Sequence, residues 1–331
     1  MNKVIVLNNR PEGRPEDSDF KFTEEEKPKP QNGEVLLKTK YVSVDPYLRG
    51  RMRDQKSYIE PFKLHEPLVS GIIAEVVESK NDDFKEGDFV NGMLAWKEFQ
   101  TNNGKNIQKV DPDQAPLSAY LGAVGMTGLT AYFGLTHIGK PKKGDTIVVS
   151  GAAGAVGSIV GQIGKINDCR VIGIAGTDEK IALLKEEFGF DEGINYKTTD
   201  NMQEAISNLA PDGVDIYFDN VGGEISDAVL QNIARGARVV VCGAISVYNN
   251  EKMPVGPRVT PILIKNSVLM QGFTVGDFQS EFNNGMKQLA TWLQEDKIMH
   301  KETIVKGFEN IPQAFIDLFD GKNSGKMIVE V

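Results

Sequence analysis

The stretch from Thr146 to Thr177, TIVVSGAAGAVGSIVGQIGKINDCRVIGIAGT, constrains this chain more than any other. Ile147-Val148-Val149 is a continuous β-branched run, the pattern of a strand buried on both faces. Gly151-Ala152-Ala153-Gly154-Ala155-Val156-Gly157 then supplies small residues where a backbone must turn tightly and let a phosphate come close. Ile159, Val160, Ile163 and Ile166 recur at helical spacing, and Arg170 to Ala175 reads as a second buried strand. A helix that starts at such a turn aims N–H groups and a positive dipole end at a pyrophosphate. In the pattern G-x-G-x-x-G the first position is Ala152, followed by Gly154 and Gly157. The glycines alone also suit a merely structural turn; the flanking strand, helix and strand make this a dinucleotide-binding βαβ unit.

The end of the second strand selects the dinucleotide. An NAD site places Asp or Glu roughly 20 residues after the glycines, on the ribose 2′-hydroxyl. Gly176 and Thr177 occupy that place here, so no carboxylate stands there to repel a 2′-phosphate. Lys180 follows, in the first turn of a helix predicted over Asp178 to Phe188, and can offer a positive charge to that phosphate. Alone it also reads as a solvated helix residue. With the acid missing, the combination favours NADP(H).

At 331 residues the chain is long enough for two domains with separate cores. A net charge of -9 argues against a nucleic-acid footprint. The N-terminus MNKVIVLNNR has only four consecutive apolar residues, too few for a signal peptide, and no run approaches the ~18 residues that span a bilayer. Cytoplasm is the expected location. The two cysteines, Cys169 and Cys242, indicate no disulfide framework. They and the three histidines, His65, His137 and His300, lack zinc-ligand spacing, so the chemistry is expected to proceed without metal.

Up to about residue 120, short alternating segments are punctuated by Gly33, Gly71, Gly87 and Gly92. Val35 to Val42, Ser70 to Glu78 and Asp88 to Leu94 read as strands of a β-rich, barrel-like half. Glu24-Glu25-Glu26 with Pro28-Lys29-Pro30 reads as an exposed loop. Ala119 to Leu121 and Met126 to Leu135 favour helix. Six strands then alternate with helices: Ile147 to Ser150, Arg170 to Ala175, Gly193 to Tyr196, Val214 to Asp219, Ala237 to Val241 and Val268 to Gly272. This is the order of a doubly wound parallel sheet. Glu281 to Asp296 carries Phe282, Met286, Leu289, Trp292 and Leu293 on one helical face, read as core. A strand at Thr303 to Val305, a helix at Ile311 to Phe319 and a strand at Met327 to Val331 return to the first domain. The expected class is α/β, with a β-rich domain from 1–122 and 300–331 and a Rossmann domain from 123–299.

This order of parts resembles the medium-chain dehydrogenase/reductase superfamily, whose β-rich domain is GroES-like. Within it the chain is similar to the zinc-free branch of prostaglandin reductases, alkenal double-bond reductases and NADPH-dependent curcumin reductases. The resemblance runs the length of the chain: SVDPYLR at 43–49, GMTGLTAY at 125–132, GAVGS at 154–158, DNVGG at 219–223, CGAIS at 242–246 and GKMIV at 325–329. It implies that Lys180 and Tyr196 bind the 2′-phosphate; by position alone Tyr196 equally reads as a packing residue. It implies cofactor contacts for Asn220, for the backbone of Cys242, Gly243, Ala244 and Ile245, and for Phe273 and Val275. Asn323 resembles an asparagine that reaches the cofactor from the other domain, although as bare sequence it is a turn residue. Met126 and Thr127 resemble residues at the cofactor mouth, joining Gly154, Ala155, Val156, Gly157 and Thr177. Members of this branch are often dimers, so a homodimer is an expectation without a sequence-defined interface.

The implied reaction is hydride transfer from NADPH to the β-carbon of a small α,β-unsaturated ketone or aldehyde. The carbonyl oxygen gathers negative charge, and without metal a hydrogen-bond donor must stabilise it. Tyr248 is the first candidate, since a phenol of pKa near ~10 is a donor at neutral pH. Tyr58 resembles a second substrate-side tyrosine, and Tyr47, after Asp45-Pro46, reads as a pocket wall or as packing. Arg49, Arg51 and Arg53 read as a solvated loop face in preference to a substrate-steering patch. An NADPH quinone reductase and a non-catalytic NADPH-binding sensor are the rival readings.

Overall fold

The short alternating runs of the first third fold as antiparallel strands. In the computed structural model, which describes residues 1–252 and 254–331, β1 (Asn2–Leu7) pairs with β2 (Phe20–Glu25). There follow β3 (Val35–Ser43), the one-turn helix α1 (Leu48–Arg51), β4 (Val69–Ser79), β5 (Phe89–Ala95), β6 (Phe99–Asn102) and β7 (Ile107–Val110). The period then changes. Helix α2 (Met126–Phe133) leads to β8 (Thr146–Ser150), α3 (Ala155–Ile166), β9 (Arg170–Ala175), α4 (Asp178–Glu186), β10 (Glu192–Asn195) and α5 (Met202–Leu209). Next come β11 (Val214–Asp219), α6 (Gly223–Leu230), β12 (Ile233–Val241), α7 (Thr260–Asn266), β13 (Leu269–Gly272) and α8 (Phe282–Gln294). The chain ends with β14 (Glu302–Lys306), α9 (Ile311–Asp317) and β15 (Lys326–Glu330).

Two units result: residues 1–121, 302–323 and 327–331 form one, and 122–301 with 324–326 form the other. In the first, strands run in the order β14-β15-β3-β4-β5-β7, with β6 also against β3. Its core gathers Leu37, Val42, Leu48, Met52, Val76, Trp96, Phe315 and Val329. The fully buried Trp96 donates its indole N–H to Ser70 Oγ at 2.8 Å, so burying the large ring leaves no polar atom stranded. In the second, all strand pairs are parallel, in the order β10-β9-β8-β11-β12-β13. The order reverses between β8 and β11, where open α/β sheets place their ligands. Ile147, Val148, Val149, Ile172, Ile174, Ile216 and Val239 are fully buried, as strands covered on both faces require.

Three local expectations are corrected. Glu24 and Glu25 are not in a loop: they pair with Lys3 and Asn2 in the β1–β2 ribbon, and Glu25 accepts hydrogen bonds from Asn2 Nδ2 and Lys97 Nζ. The helix read as Met126 to Leu135 stops at Phe133 and widens into a π-turn over Gly134–Gly139. There a Cβ on Gly134 would meet the rings of Phe273 at 2.6 Å and Phe218 at 2.8 Å, so only glycine fits. The arginine trio is not a solvated face. Arg49 is fully buried, donating to the carbonyls of Pro11 at 3.1 Å and Gly13 at 2.8 Å, and burial lowers its pKa to about 10. Arg51 donates to the carbonyls of Glu60 and Val69 and lies over the Phe62 ring. The two arginines fix loops around α1. Among the described residues no helix is long and apolar enough to cross a membrane.

Candidate cofactor site

Strand β8 ends at Ser150, and a turn delivers the chain into α3, whose N-cap Gly154 is extended and receives no side-chain cap. A Cβ on Gly157 would lie 2.4 Å from the Gly151 carbonyl oxygen and 2.7 Å from Ala152 Cα, so only glycine lets the helix begin this close to its own turn. Ala155 and Val156 complete the half-buried first turn. Gly325 N–H donates to the Ala153 carbonyl at 2.7 Å, which explains why residues 324–326 belong to the parallel-sheet unit. A twelve-residue helix with an uncapped, small-residue N-terminus at a sheet's carboxyl edge fits a pyrophosphate.

At the end of β9, Thr177 caps α4, its Oγ1 accepting from the Lys180 N–H at 3.3 Å. Tyr196 follows β10, donates its N–H to the Ala175 carbonyl at 3.1 Å, and lays its ring against Gly176, where a Cβ would meet ring atoms at 3.0 Å. Lys180 is half-buried, and its pKa is lowered by burial first and by the charge of Lys197 second. Lys197, absent from the sequence reading, thus brings a second ammonium to the same place. No carboxylate ends β9; the nearby Glu179 is exposed and hydrogen-bonded to its own backbone N–H and the Thr177 hydroxyl.

The ends of β11, β12 and β13 form the other half of the edge. Asn220 donates its N–H to Ser150 Oγ at 3.0 Å and its Nδ2 to the Ser150 carbonyl at 2.8 Å, so its side chain is held across to β8. Cys242 and Gly243 donate N–H groups to the Asp219 carbonyl at 2.8 and 3.0 Å, and Ile245 N–H reaches the Asn220 carbonyl at 3.4 Å. Burial, with Asp219 second, pushes the Cys242 thiol up to about 12, so it is no nucleophile at neutral pH. Tyr248 is half-buried; its hydroxyl accepts the Ala244 N–H at 3.2 Å. Burial raises the Tyr248 pKa, the Ala244 bond opposes, and the charges of Cys242 and Asp219 add to the rise. Phe273, half-buried, packs edge-on against Phe218 and Phe278, and Val275 opens the next turn. Met126 opens α2 and is exposed, whereas Thr127 is buried with its hydroxyl on the Gly122 carbonyl at 3.1 Å. The structure therefore brings Asn220, the 242–245 backbone and Tyr248 together through one hydrogen-bond network. Ser150, Tyr217 and Asp219, passed over in the sequence, lie buried beneath it.

Three further candidates belong to the β-rich unit. Tyr47 is half-buried and its pKa is pushed up, by burial first and then by Asp45. Tyr58 is 71% exposed in the segment between α1 and β4, close enough to Tyr47 and Arg51 to act on their ionisation as a minor contributor. Asn323 ends that unit's second segment, one residue before the pairing of 324–326.

Known proteins carry the same parts. A model of the N-terminal domain of oxidoreductases matches residues 3–110, and a zinc-binding dehydrogenase model matches residues 155–291. YfmJ of Bacillus subtilis, provisionally named an NADP-dependent oxidoreductase, is 58% identical over 99% of this chain and 97% of its own. The chain belongs to the medium-chain dehydrogenase/reductase family. Within that family, the NADPH-dependent curcumin reductase of Escherichia coli is 41% identical over 100% of this chain and 97% of its own. The crystal structure of CurA from Vibrio vulnificus in complex with NADPH superposes with a TM-score of 0.95 at 42% identity, covering 99% of both chains. Other relatives bear the names prostaglandin reductase 1 and 2-alkenal reductase. This medium-chain reductase is an NADP-dependent oxidoreductase of that branch, and its cofactor is NADP(H). Although one family description mentions zinc, no three His, Cys, Asp or Glu side chains among the described residues are grouped as metal ligands.

Proposed function

We propose that this reductase saturates the carbon–carbon double bond of α,β-unsaturated ketones and aldehydes. NADPH, when bound, supplies the hydride that adds to the β-carbon. Charge then builds on the carbonyl oxygen, and a proton adds at the α-carbon, so one hydride and one proton enter each double bond. The observation that carries the reading is Tyr248: its oxygen accepts from Ala244 N–H at a strand end beside Asn220, and burial holds it as a phenol. A phenol whose oxygen already accepts a bond is a stronger donor through its own O–H. It is suited to stabilise the enolate oxygen or to deliver its proton. Gly154 to Gly157 cradle the pyrophosphate; Thr177, Lys180 and Tyr196, with Lys197 behind, take the 2′-phosphate. Asn220, the backbone from Cys242 to Ile245, Phe273 and Val275 wall the nicotinamide half, and Met126 and Thr127 lie at its mouth. The roles of Tyr58, Tyr47 and Asn323 rest on the resemblance alone. The names of the relatives, reductases of curcumin, prostaglandins and 2-alkenals, support the substrate class.

The test is a panel of enones, 2-alkenals and quinones, each run with NADPH and with NADH while cofactor absorbance is followed. Enones and alkenals should turn over with NADPH, with the C=C bond saturated and the carbonyl intact in the product. Turnover of quinones alone would transfer the protein to the rival quinone-reductase reading, and none at all to the sensor reading.

We also propose a homodimer built on the open edge of the parallel sheet. All four residues of β13 are exposed, Leu269 at 50% and Met270 at 37%. An uncharged edge strand of this kind pairs with a second copy across a two-fold without like charges opposing.

A further inference from the structure

Beneath the proposed cofactor edge lies a buried charge that the reaction does not use. Asp219, the last residue of β11, is 3% exposed. Its Oδ1 accepts four hydrogen bonds: from Ser150 Oγ at 3.0 Å, the Tyr217 hydroxyl at 2.9 Å, Val221 N–H at 3.0 Å and Gly222 N–H at 2.8 Å. Its main-chain carbonyl accepts two more, from Cys242 and Gly243. One residue therefore touches the ends of three adjacent strands, β8, β11 and β12.

Apart from the Tyr217 bond, those bonds lead to three different walls of the site. Ser150 immediately precedes the glycine turn and also accepts from Asn220 N–H. Val221 and Gly222 form the turn after Asn220, and Gly222 adopts φ +70° so that its N–H can point back at the carboxylate. Gly243 precedes Ala244, whose N–H meets Tyr248. A carboxylate removed from water is tolerated only when donors fill its lone pairs. Here two of the four donors are backbone N–H groups of the site itself and a third is the Ser150 hydroxyl at its glycine turn, so satisfying the charge and shaping the site are one event. An apolar residue could fill the volume, but it would leave those N–H groups without an acceptor.

We propose that Asp219 is a positioning residue for NADPH, holding the Ser150–Gly154 turn, the Asn220–Gly222 turn and the Gly243–Tyr248 segment in one register. The proposal rests on the reading that the cofactor lies on this carboxyl edge. The same charge has an electrostatic reach: it contributes to the upward pKa shifts of Tyr217, Cys242 and Tyr248, in each case behind burial. Asp219 thereby helps keep Tyr248 a proton donor without touching it.

The experiment compares wild type with Asp219→Asn and Ser150→Ala, using the full chain. Three readouts are taken: hydrogen exchange of the 150–157 and 220–223 segments without cofactor, NADPH affinity, and the ionisation midpoint of Tyr248. The midpoint comes from carbon-labelled tyrosine, assigned with Tyr248→Phe. Asn keeps the shape but makes Oδ1 a neutral acceptor, and charge-assisted bonds are about twice as strong as neutral ones. In Asp219→Asn both segments should exchange faster, the NADPH Kd should rise about tenfold or more, and the Tyr248 midpoint should fall. Ser150→Ala keeps the charge; its exchange and Kd should move the same way by less, with the Tyr248 midpoint unmoved. If Asp219→Asn does not fold, Ser150→Ala is read at Val221 and Gly222, whose N–H groups bond Asp219 and not Ser150. Unchanged exchange in both segments would overturn the positioning role. Faster exchange with unchanged NADPH affinity would overturn it differently, by removing the cofactor from this edge.

Discussion

The selectivity for a 2′-phosphate can be tested with one change at Lys180 and one at Lys197, which differ in size and in what they do to the pH dependence. Lys180→Met keeps the aliphatic stem and removes the ammonium. A hydrogen bond to a charged group contributes about 1.5–3 kcal/mol, so the NADPH Kd should rise about 10- to 150-fold. The NADH Kd should stay where it is, because NADH carries no phosphate there. The environment of Lys180 adds a pH signature. Its pKa is lowered, by burial first and by Lys197 second. A cation with a lowered pKa loses its proton as pH rises through that lowered value, so NADPH affinity should fall at a pH below the ordinary lysine range near ~10.4. Lys197→Ala removes the neighbouring like charge, so the pKa of Lys180 climbs and the alkaline loss moves to higher pH. At neutral pH the same change weakens NADPH by about two- to fivefold, as loss of a screened, exposed charge should. A general loosening of the fold lowers affinity but does not move the break upward. Tryptophan-quenching titrations with both cofactors, from about pH 7 to about pH 10.5, follow these quantities across the lysine range. Equal losses for NADPH and NADH in Lys180→Met would refute the assignment, as would an unmoved alkaline break in Lys197→Ala.

Other perturbations probe separate parts of the account. Tyr248→Phe should lower kcat by about 10²-fold, the range for a proton-transfer partner, with NADPH affinity near wild type; full turnover in the steady state would exclude Tyr248. Arg49→Met should strand the Pro11 and Gly13 carbonyls and destabilise the β-rich unit by about 1–3 kcal/mol, seen as a lower urea midpoint at unchanged slope. A midpoint equal to wild type would return Arg49 to the solvated face first expected for it. Leu269→Asp should set like charges against each other at the open sheet edge and yield monomers by analytical ultracentrifugation. Wild type that sediments as a monomer, or a variant that remains a dimer, would dismiss that interface.

The parallel sheet was legible because its signal is redundant. Runs such as Ile147-Val148-Val149 and Val171-Ile172 are apolar on both faces, and the strands that hold them end directly before Gly151 and Gly176, so period and punctuation agree. Val214–Asp219 and Arg170–Ala175 were read to the residue. The misreadings occur where one residue type serves two environments. Glu24 and Glu25 look like loop residues, yet a charged strand is how an exposed two-stranded ribbon avoids further pairing. Three nearby arginines suggest solvent, and no local pattern shows that two of them end on carbonyls more than eight residues away. Gly134 gave no sign of the π-turn, and the rings that would crowd a side chain there, Phe218 and Phe273, lie some 80 to 140 residues along the chain.

The candidate site divides the same way. Its glycines and Lys180 announce themselves by spacing, since a phosphate cradle is a local object, and Asn220 enters through the family resemblance at a strand end. Asp219 does not: within FDNVGG it reads as the last strand residue, and nothing nearby in sequence says that Ser150, about 70 positions earlier, will share its oxygen. The distinction is physical. Residues that touch a ligand are chosen by the ligand's chemistry, which sequence motifs record. Residues that hold those contacts in place are chosen by partners from other strands, which only the folded sheet brings within 3.0 Å. Lys197 is the intermediate case, since its role depends on the turn after β10 folding back toward α4. A second ammonium beside the first lowers the pKa of Lys180 and so weakens the very charge it joins. Two ammonium groups side by side suit a dianion better than a single charge. On the proposed reading, that dianion is the 2′-phosphate, and the pair is a more specific mark of it than either lysine alone.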